Sequence, residues 1–214
     1  MLNIKESFIY YVLQYNLKIF SFINGFLCES RTFIIFSKTL AVVFCVKTFV
    51  CLFFLAAIFS ILFFKFQICI EPKRKNVYIQ FFNFFWNLGV NFTIFFAVFY
   101  CVKYFAAVPR PYVSSTLTEG NFHSMSSFPS AHVGLVTLLA LHFRLLRSSL
   151  SAVFVILVIL IVAISRIALC MHYPIDVIAG AVLAILCYFL GRVVQKHLLP
   201  LCNRIRIIVY DLVF

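Results

Sequence analysis

The stretch from Leu150 to Leu199, LSAVFVILVILIVAISRIALCMHYPIDVIAGAVLAILCYFLGRVVQKHLL, decides the fold. It contains two apolar runs, Leu150–Ser165 and Asp176–Leu199, on either side of a short link that carries polar residues. An apolar run of about 20 residues crosses a bilayer as a helix. The stretch therefore predicts two antiparallel transmembrane helices joined by a polar link at one membrane face.

The rest of the chain has the same character. Of its 214 residues, 64% are hydrophobic and 11% are charged, and the mean hydropathy of +1.09 excludes a water-soluble domain. Further spans are predicted at Thr48–Phe66, Gln80–Val102 and His132–Leu146. We therefore expect one all-α polytopic membrane domain over residues 1–214, with five clear transmembrane helices.

The first 47 residues allow two alternatives. Phe8–Leu27 is apolar enough to span the membrane but carries Lys18 near its middle, and Phe33–Cys45 is too short to span it alone. This region is either a sixth span or a set of interfacial helices lying on the membrane.

The net charge of +12 is interpreted as orienting the chain in the membrane, with no nucleic acid partner. Cytoplasmic connectors collect Lys and Arg. Three connectors are basic and fall on one side of the predicted bundle: 65–75, 144–147 and 192–206. Lys103–Ser130 and Arg166–Ile175 are then expected to face the periplasm or exterior. The eight cysteines are dispersed without metal-ligand spacing, and no metal site is predicted.

Three polar clusters fall on this outer face, within residues 103–176. They are Lys103 with Arg110-Pro111, then Pro129-Ser130-Ala131-His132, then Ser165-Arg166 with His172 and Asp176. Fixed cations in a partly desolvated pocket bind a dianion, and arginine matches the geometry of phosphate oxygens. Two histidines that titrate near neutral pH can attack, accept or donate protons.

Two of these residues have a simpler interpretation. Asp176 can orient His172 by accepting a hydrogen bond from its ring, but it can equally cap the helix that begins near Pro174. Ser130 can bind a phosphate oxygen or serve as a plain helix N-cap, and these two roles are compatible.

The patterns Lys-x6-Arg-Pro, Pro-Ser-x-His and Ser-Arg-x5-His-x3-Asp, in this order, resemble the type 2 phosphatidic acid phosphatase superfamily. The resemblance implies that His172 is the nucleophile that forms a phosphohistidine, that Asp176 orients it, and that His132 protonates the leaving lipid oxygen. It also implies a phosphate site made of Lys103, Arg110, Ser130, the backbone amide of Ala131, and Arg166. One position departs from the family, which usually has glycine where this chain has Ala131.

The family resemblance further implies hydrolysis of a membrane lipid phosphate or diphosphate, without metal or other cofactor. The expected location is the bacterial inner membrane, with the active site at the periplasmic face. Undecaprenyl diphosphate, lipid A phosphates, phosphatidylglycerol phosphate and phosphatidic acid are candidate substrates. The loop Tyr112–Phe128, with Glu119 and His123, is predicted to help select among them.

Other functions remain as alternatives. A lipid phosphotransferase that uses a polyprenyl diphosphate donor would share the first step and differ in the acceptor. Vanadate-dependent haloperoxidases share the clusters but are soluble, unlike this chain. An anion transporter would need charges along a path through the bilayer, whereas these charges gather at one face. The sequence leaves the oligomeric state open.

Overall fold

A computed structural model describes residues 4–27, 29–70, 75–111, 126–143 and 148–213. Within these ranges the chain forms seven α-helices and no β-strand, which confirms the all-α prediction. The helices are α1 (Ile4–Leu27), α2 (Arg31–Val43), α3 (Val46–Ile70), α4 (Lys75–Ala106), α5 (Ala131–His142), α6 (Ser149–Ala168) and α7 (Pro174–Val213).

Helix α5 lies at the centre of the bundle. Val133, Leu135 and Leu138 are at most 2% exposed. Val133 packs with α6 and α7, whereas Leu135 and Leu138 pack with α4 and α7. A helix that is apolar on all sides is expected to be surrounded by other helices. The central position of α5 therefore follows from its sequence, and it fixes where His132 enters the bundle.

Helix α5 approaches α7 closely because both carry glycine at the contact. A methyl group on Gly180 would collide with the carbonyl oxygen of Ser130, and one on Gly134 would lie 3.0 Å from the Gly180 carbonyl oxygen. Small residues allow helix backbones to come this near in a membrane bundle. The N-terminal ends of α5 and α7 are thereby brought side by side.

Helix α4 runs antiparallel to α7. Phe95 and Phe99 share a buried apolar cluster with Ala184 and Cys187, and the Gln195 side chain donates a hydrogen bond of 3.1 Å to the Asn87 carbonyl oxygen. This alignment places the C-terminal end of α4 beside the N-terminal end of α7.

Three helices of the described chain are long and apolar enough to cross a membrane: Val77–Ala106, Ser149–Ala168 and Pro174–Tyr210. Lys47–Phe63 and Ala131–His142 are shorter apolar helices. At about 1.5 Å per residue, α5 is about 18 Å long and falls short of a full crossing.

Several helix ends differ from the sequence prediction; for example, α4 spans Lys75–Ala106, whereas Gln80–Val102 was predicted. Helix α5 ends at His142, before the predicted Leu146, and residues 144–147 lie outside the described ranges. Helix α7 continues through Pro200 to Val213, beyond the predicted end at Leu199. Proline disfavours a helix interior because it lacks one N–H donor, but the helix extends on both sides of it here.

Helices α1 and α2 form a sharply bent pair. Their axes differ by 114° between Leu13–Leu27 and Arg31–Val43, and together they are apolar enough for one broken span or a re-entrant loop. Both pack on α6, and Phe20 and Ile23 of α1 lie against the cluster that includes Val133. The region without any motif is thus part of the helical bundle.

The glycine contact yields a stability prediction. In Gly180→Ala the added methyl group meets the Ser130 backbone, which cannot move without separating α5 from α7. Overpacking of this kind costs about 1–3 kcal/mol. We expect a lower midpoint of thermal unfolding for the purified protein in detergent.

Gly25→Ala is the matched control, because a methyl group at this helical position meets no atom within 4 Å. Alanine favours a helix over glycine by about 0.8–1 kcal/mol, so the midpoint should stay or rise. Equal midpoints for the two variants would contradict the packing argument.

Candidate active site

The three polar clusters meet where four helices end. The Ser130 N–H donates a 3.0 Å hydrogen bond to the Asp176 carbonyl oxygen, which joins the start of α5 to the start of α7. The Met171 N–H donates to the Arg166 carbonyl oxygen over 3.1 Å, which folds the link back onto α6. The Ser127 N–H donates to the Val108 carbonyl oxygen over 2.7 Å, so the segment after α4 is held there too.

His172 and Asp176 form a buried pair in the link and in the first turn of α7. The Nδ1 atom of His172 lies 3.8 Å from Oδ2 of Asp176, which is ion-pair range but longer than a hydrogen bond. The same Oδ2 accepts a 2.7 Å hydrogen bond from the Tyr173 N–H. Asp176 therefore caps its own helix and faces the histidine at once, which combines the two interpretations that the sequence left open.

The environment of His172 favours the neutral ring. Only 4% of the residue is exposed. Burial lowers the pKa of His172 from 6.5, and the nearby Arg110 charge lowers it further, although Asp176 and the Ser127 backbone act in the opposite direction. A neutral imidazole has a free nitrogen lone pair, which a nucleophile needs.

Arg166 is buried at the end of α6, with 2% of its surface exposed. Its Nη2 atom donates a 2.8 Å hydrogen bond to the carbonyl oxygen of Ser37 in α2. Its Nε atom lies 3.3 Å from the hydroxyl oxygen of Ser165. These contacts fix the guanidinium plane before any ligand arrives, and a fixed planar cation is well suited to phosphate oxygens.

Arg110 and Lys103 complete the positive charge of the site. Nη1 of Arg110 lies 3.2 Å from the sulfur of Met171, the residue beside His172. Its charge acts on Lys103, His132, Arg166 and His172, so these four groups all lie within electrostatic range of Arg110. The Lys103 ammonium lies 5.4 Å from the centroid of the Phe99 ring, which is within the range of a cation–π interaction.

Ser130, Ala131 and His132 stand at the N-terminus of α5. Ser130 occupies the N-cap position that the sequence allowed, but its hydroxyl makes no capping hydrogen bond. Ala131 is the first helical residue and is not among the residues with positive φ. An alanine methyl group is therefore compatible with the backbone where the family usually has glycine.

Four buried polar atoms of the site find no hydrogen-bond partner in the part of the chain that the structure describes. They are Ser127 Oγ, Ser130 Oγ, His172 Nδ1 and Asp176 Oδ1. An unsatisfied buried polar group costs about 1–3 kcal/mol. Such a cluster is typical of a site built for a polar ligand.

The structure adds two serines that the motifs did not single out. Ser127 lies beside His172, and the Ser37 carbonyl oxygen anchors Arg166. Nothing in the sequence near Ser37 indicates this contact, because its partner lies 129 positions away. The loop with Glu119 and His123 falls in 112–125, outside the described residues. Among the described residues, no group of three or more His, Cys, Asp or Glu side chains could hold a metal ion.

Comparison with known proteins agrees with this geometry. The model of the PAP2 superfamily matches residues 84–198, which include all eight predicted site residues. The fold is similar to the crystal structure of LpxE from Aquifex aeolicus, with a TM-score of 0.57 and 18% identity over 82% of this chain and 93% of that one. A search of curated proteins finds no match. The family match covers more than half of the sequence, so the chain belongs to the PAP2 superfamily of phosphatases.

Proposed function

We propose that this phosphatase hydrolyses a membrane lipid phosphate or diphosphate without metal, through a phosphohistidine at His172. The observation that carries the proposal is that Arg110 lies within electrostatic range of Lys103, Arg166 and the buried His172, whose ring faces Asp176. Fixed positive charge stabilises the charge that shifts among the phosphoryl oxygens in the transition state.

In the first step the free ring nitrogen of His172 attacks phosphorus, and the bond from phosphorus to the lipid oxygen breaks. Asp176 faces the Nδ1 side of the ring at 3.8 Å, so we assign the proton to Nδ1 and the attack to Nε2. His132 gives a proton to the departing lipid oxygen. A bound phosphate dianion near His132 favours the protonated ring that this donation requires.

In the second step water attacks the phosphorylated His172 and breaks the phosphorus–nitrogen bond. His132, now neutral, accepts the proton from that water, and inorganic phosphate leaves. The Ser130 hydroxyl, which has no hydrogen-bond partner among the described residues, and the N–H groups at the start of α5 bind the phosphoryl oxygens in both steps. Each residue returns to its starting protonation state.

The substrate is proposed to be a lipid of the outer leaflet of a bacterial inner membrane. The charge pattern of the connectors directs this face to the periplasm. The site lies at the ends of apolar helices, so a lipid can present its phosphate while its chains stay in the bilayer. Undecaprenyl diphosphate, lipid A phosphates and glycerophospholipid phosphates satisfy this chemistry.

Phosphate release in the presence of a chelator tests the reaction. We expect the purified protein in detergent to release inorganic phosphate from at least one of undecaprenyl diphosphate, lipid A, phosphatidylglycerol phosphate and phosphatidic acid. His172→Ala should abolish release, while His197→Ala, an exposed histidine of α7 far along the helix from the site, should not change it.

Two outcomes would contradict that prediction. Release that stops with chelator would disprove the metal-free mechanism. No release from any lipid by folded protein, followed by phosphate transfer when an acceptor lipid is added, would establish a phosphotransferase instead.

Arg166 should be the most sensitive of the cations, because it is buried and held in place by Ser37 and Ser165. Loss of one such stabilising contact typically lowers the rate by about 10²–10³. We expect Arg166→Ala to lower kcat/KM by at least that factor. Arg166→Lys should have a kcat/KM between those of the wild type and Arg166→Ala. Arg204→Ala, an exposed arginine of α7, is the control. Near-native turnover by Arg166→Ala would contradict its role.

The pH profile of kcat, which reports the enzyme with substrate bound, should be bell-shaped. The neutral His172 attacks, so the acid limb reports its protonation, which burial and the Arg110 charge displace to lower pH by lowering the His172 pKa. The alkaline limb reports loss of the His132 proton, which the bound phosphate dianion favours. Because Asp176 raises the pKa of His172, Asp176→Asn should move the acid limb to still lower pH. A profile that is flat between about pH 4 and 9 would refute this pair of roles.

A further inference from the structure

One face of α1 turns toward the site. Among its described side chains, residues 13–27, five are partly buried and the others are exposed. The partly buried ones are Asn16, Phe20, Ile23, Asn24 and Leu27. Their spacing of three to four residues defines a single helix face. Two asparagines on an otherwise apolar face require partners, and both find them at the link that carries His172.

Asn24 binds the C-terminal end of α6. Its Nδ2 atom donates a 3.1 Å hydrogen bond to the Ala168 carbonyl oxygen and lies 3.5 Å from that of Ile167. It is also 2.9 Å from the sulfur of Cys170. The last carbonyl groups of a helix have no partner within the helix. Asn24 of α1 therefore supplies a hydrogen-bond donor to the carbonyl groups at the C-terminal end of α6.

Asn16 binds the N-terminal end of α7. Its Oδ1 atom accepts a 3.1 Å hydrogen bond from the Ile175 N–H. Helix α7 begins with Pro174, which has no N–H, and it follows Tyr173, whose side chain is not a usual N-cap. Asn16 thus supplies from another helix the oxygen that an N-cap residue normally supplies.

The link between these two contacts is short and partly strained. Residues 169–173 join α6 to α7, and Cys170 within them has a φ of 53°, a left-handed value that is uncommon outside glycine. Phe20, midway between the asparagines, contacts the Tyr173 ring at 5.4 Å between centroids. Helix α1 thus contacts the chain on both sides of the link, at Ala168 and Ile175, and also the Tyr173 ring at the end of the link.

We propose that α1 holds this link in place, and that Asn16 and Asn24 are positioning residues that fix His172 relative to Asp176. The inference rests on the proposed function, since it assigns the asparagines to the same reaction. Neither asparagine touches the phosphate. Each acts through the backbone that carries the nucleophile, and a misplacement of about 1 Å can cost about 10²-fold in rate.

The same substitution at the two positions gives a sharp test. Asn→Asp keeps the acceptor oxygen and removes the N–H donor. Asn16 uses its oxygen, so Asn16→Asp should stay within about twofold of the wild-type kcat, and a negative charge at a helix N-terminus is favourable. Asn24 uses its donor, so Asn24→Asp should lower kcat about 10- to 100-fold with KM nearly unchanged.

Two further measurements separate positioning from general destabilisation. Hydrogen exchange of the amides of residues 169–173 should become faster in Asn24→Asp, with no change in the centre of α5. Protonation of the introduced aspartate restores an O–H donor. The kcat of Asn24→Asp relative to wild type should therefore recover as pH falls. Ser21→Ala is the control and should match wild type, because Ser21 is exposed and its hydroxyl donates to the Lys18 carbonyl oxygen of the same helix.

Each outcome decides the proposal. Equal effects of the two Asn→Asp variants, unchanged exchange at the link, or faster exchange with unchanged kcat would each overturn it. If Asn24→Asp does not fold, Asn16→Ala, which removes the amide whose oxygen accepts from the Ile175 N–H, should show the faster exchange and lower kcat instead. If wild-type protein releases no phosphate, the proposed function fails, while the exchange measurement still decides whether α1 holds the link.

Discussion

The hydrogen bond from the Ser130 N–H to the Asp176 carbonyl oxygen joins the N-terminal ends of α5 and α7, and the arrangement of the site depends on it. It forms because Gly180 has no side chain where the Ser130 backbone passes. With these ends together, His132 on α5 and His172 beside α7 reach the same pocket. Both helix dipoles then present their positive ends to it.

The site concentrates positive charge and holds it in a buried setting. Arg166 is desolvated, and within the described chain its guanidinium is held by oxygen atoms of serines and not by a carboxylate. Burial of a cation without a paired anion is costly. In the proposed reaction a phosphate dianion would relieve this cost, and the unpaired polar atoms of Ser127 and Ser130 would add further contacts. The cost of burying these groups is thus the physical reason to expect an anion here.

Much of this arrangement could be predicted from the sequence. The apolar runs indicated the helices, and the clusters lie at their ends because polar residues in a membrane chain concentrate where the helix leaves the apolar layer. Local chemistry also indicated Asp176 as either a helix cap or a partner of His172, and in the structure it lies near both groups. Helix ends were less predictable, since α7 passes through Pro200 and α5 ends four residues early.

The role of α1 and α2 could not be predicted, because contacts such as Arg166 with Ser37 and Ile175 with Asn16 join residues 129 and 159 positions apart. In a hydropathy profile an asparagine is visible only as a polar residue that interrupts an apolar run. The hydrogen-bond partners of Asn16 and Asn24 are determined by tertiary packing, which the profile does not contain. The three polar clusters lie within the residues 84–198 that match the family, whereas α1 and α2 lie outside them.

The most direct test of the account is to trap the reaction intermediate. Protein mixed briefly with a lipid labelled in its phosphate, quenched at alkaline pH and digested, should carry the label on His172, at a level that rises when water attack is slowed. Label on another residue, or rapid turnover with no labelled protein at any time, would contradict the central claim that this histidine is the nucleophile.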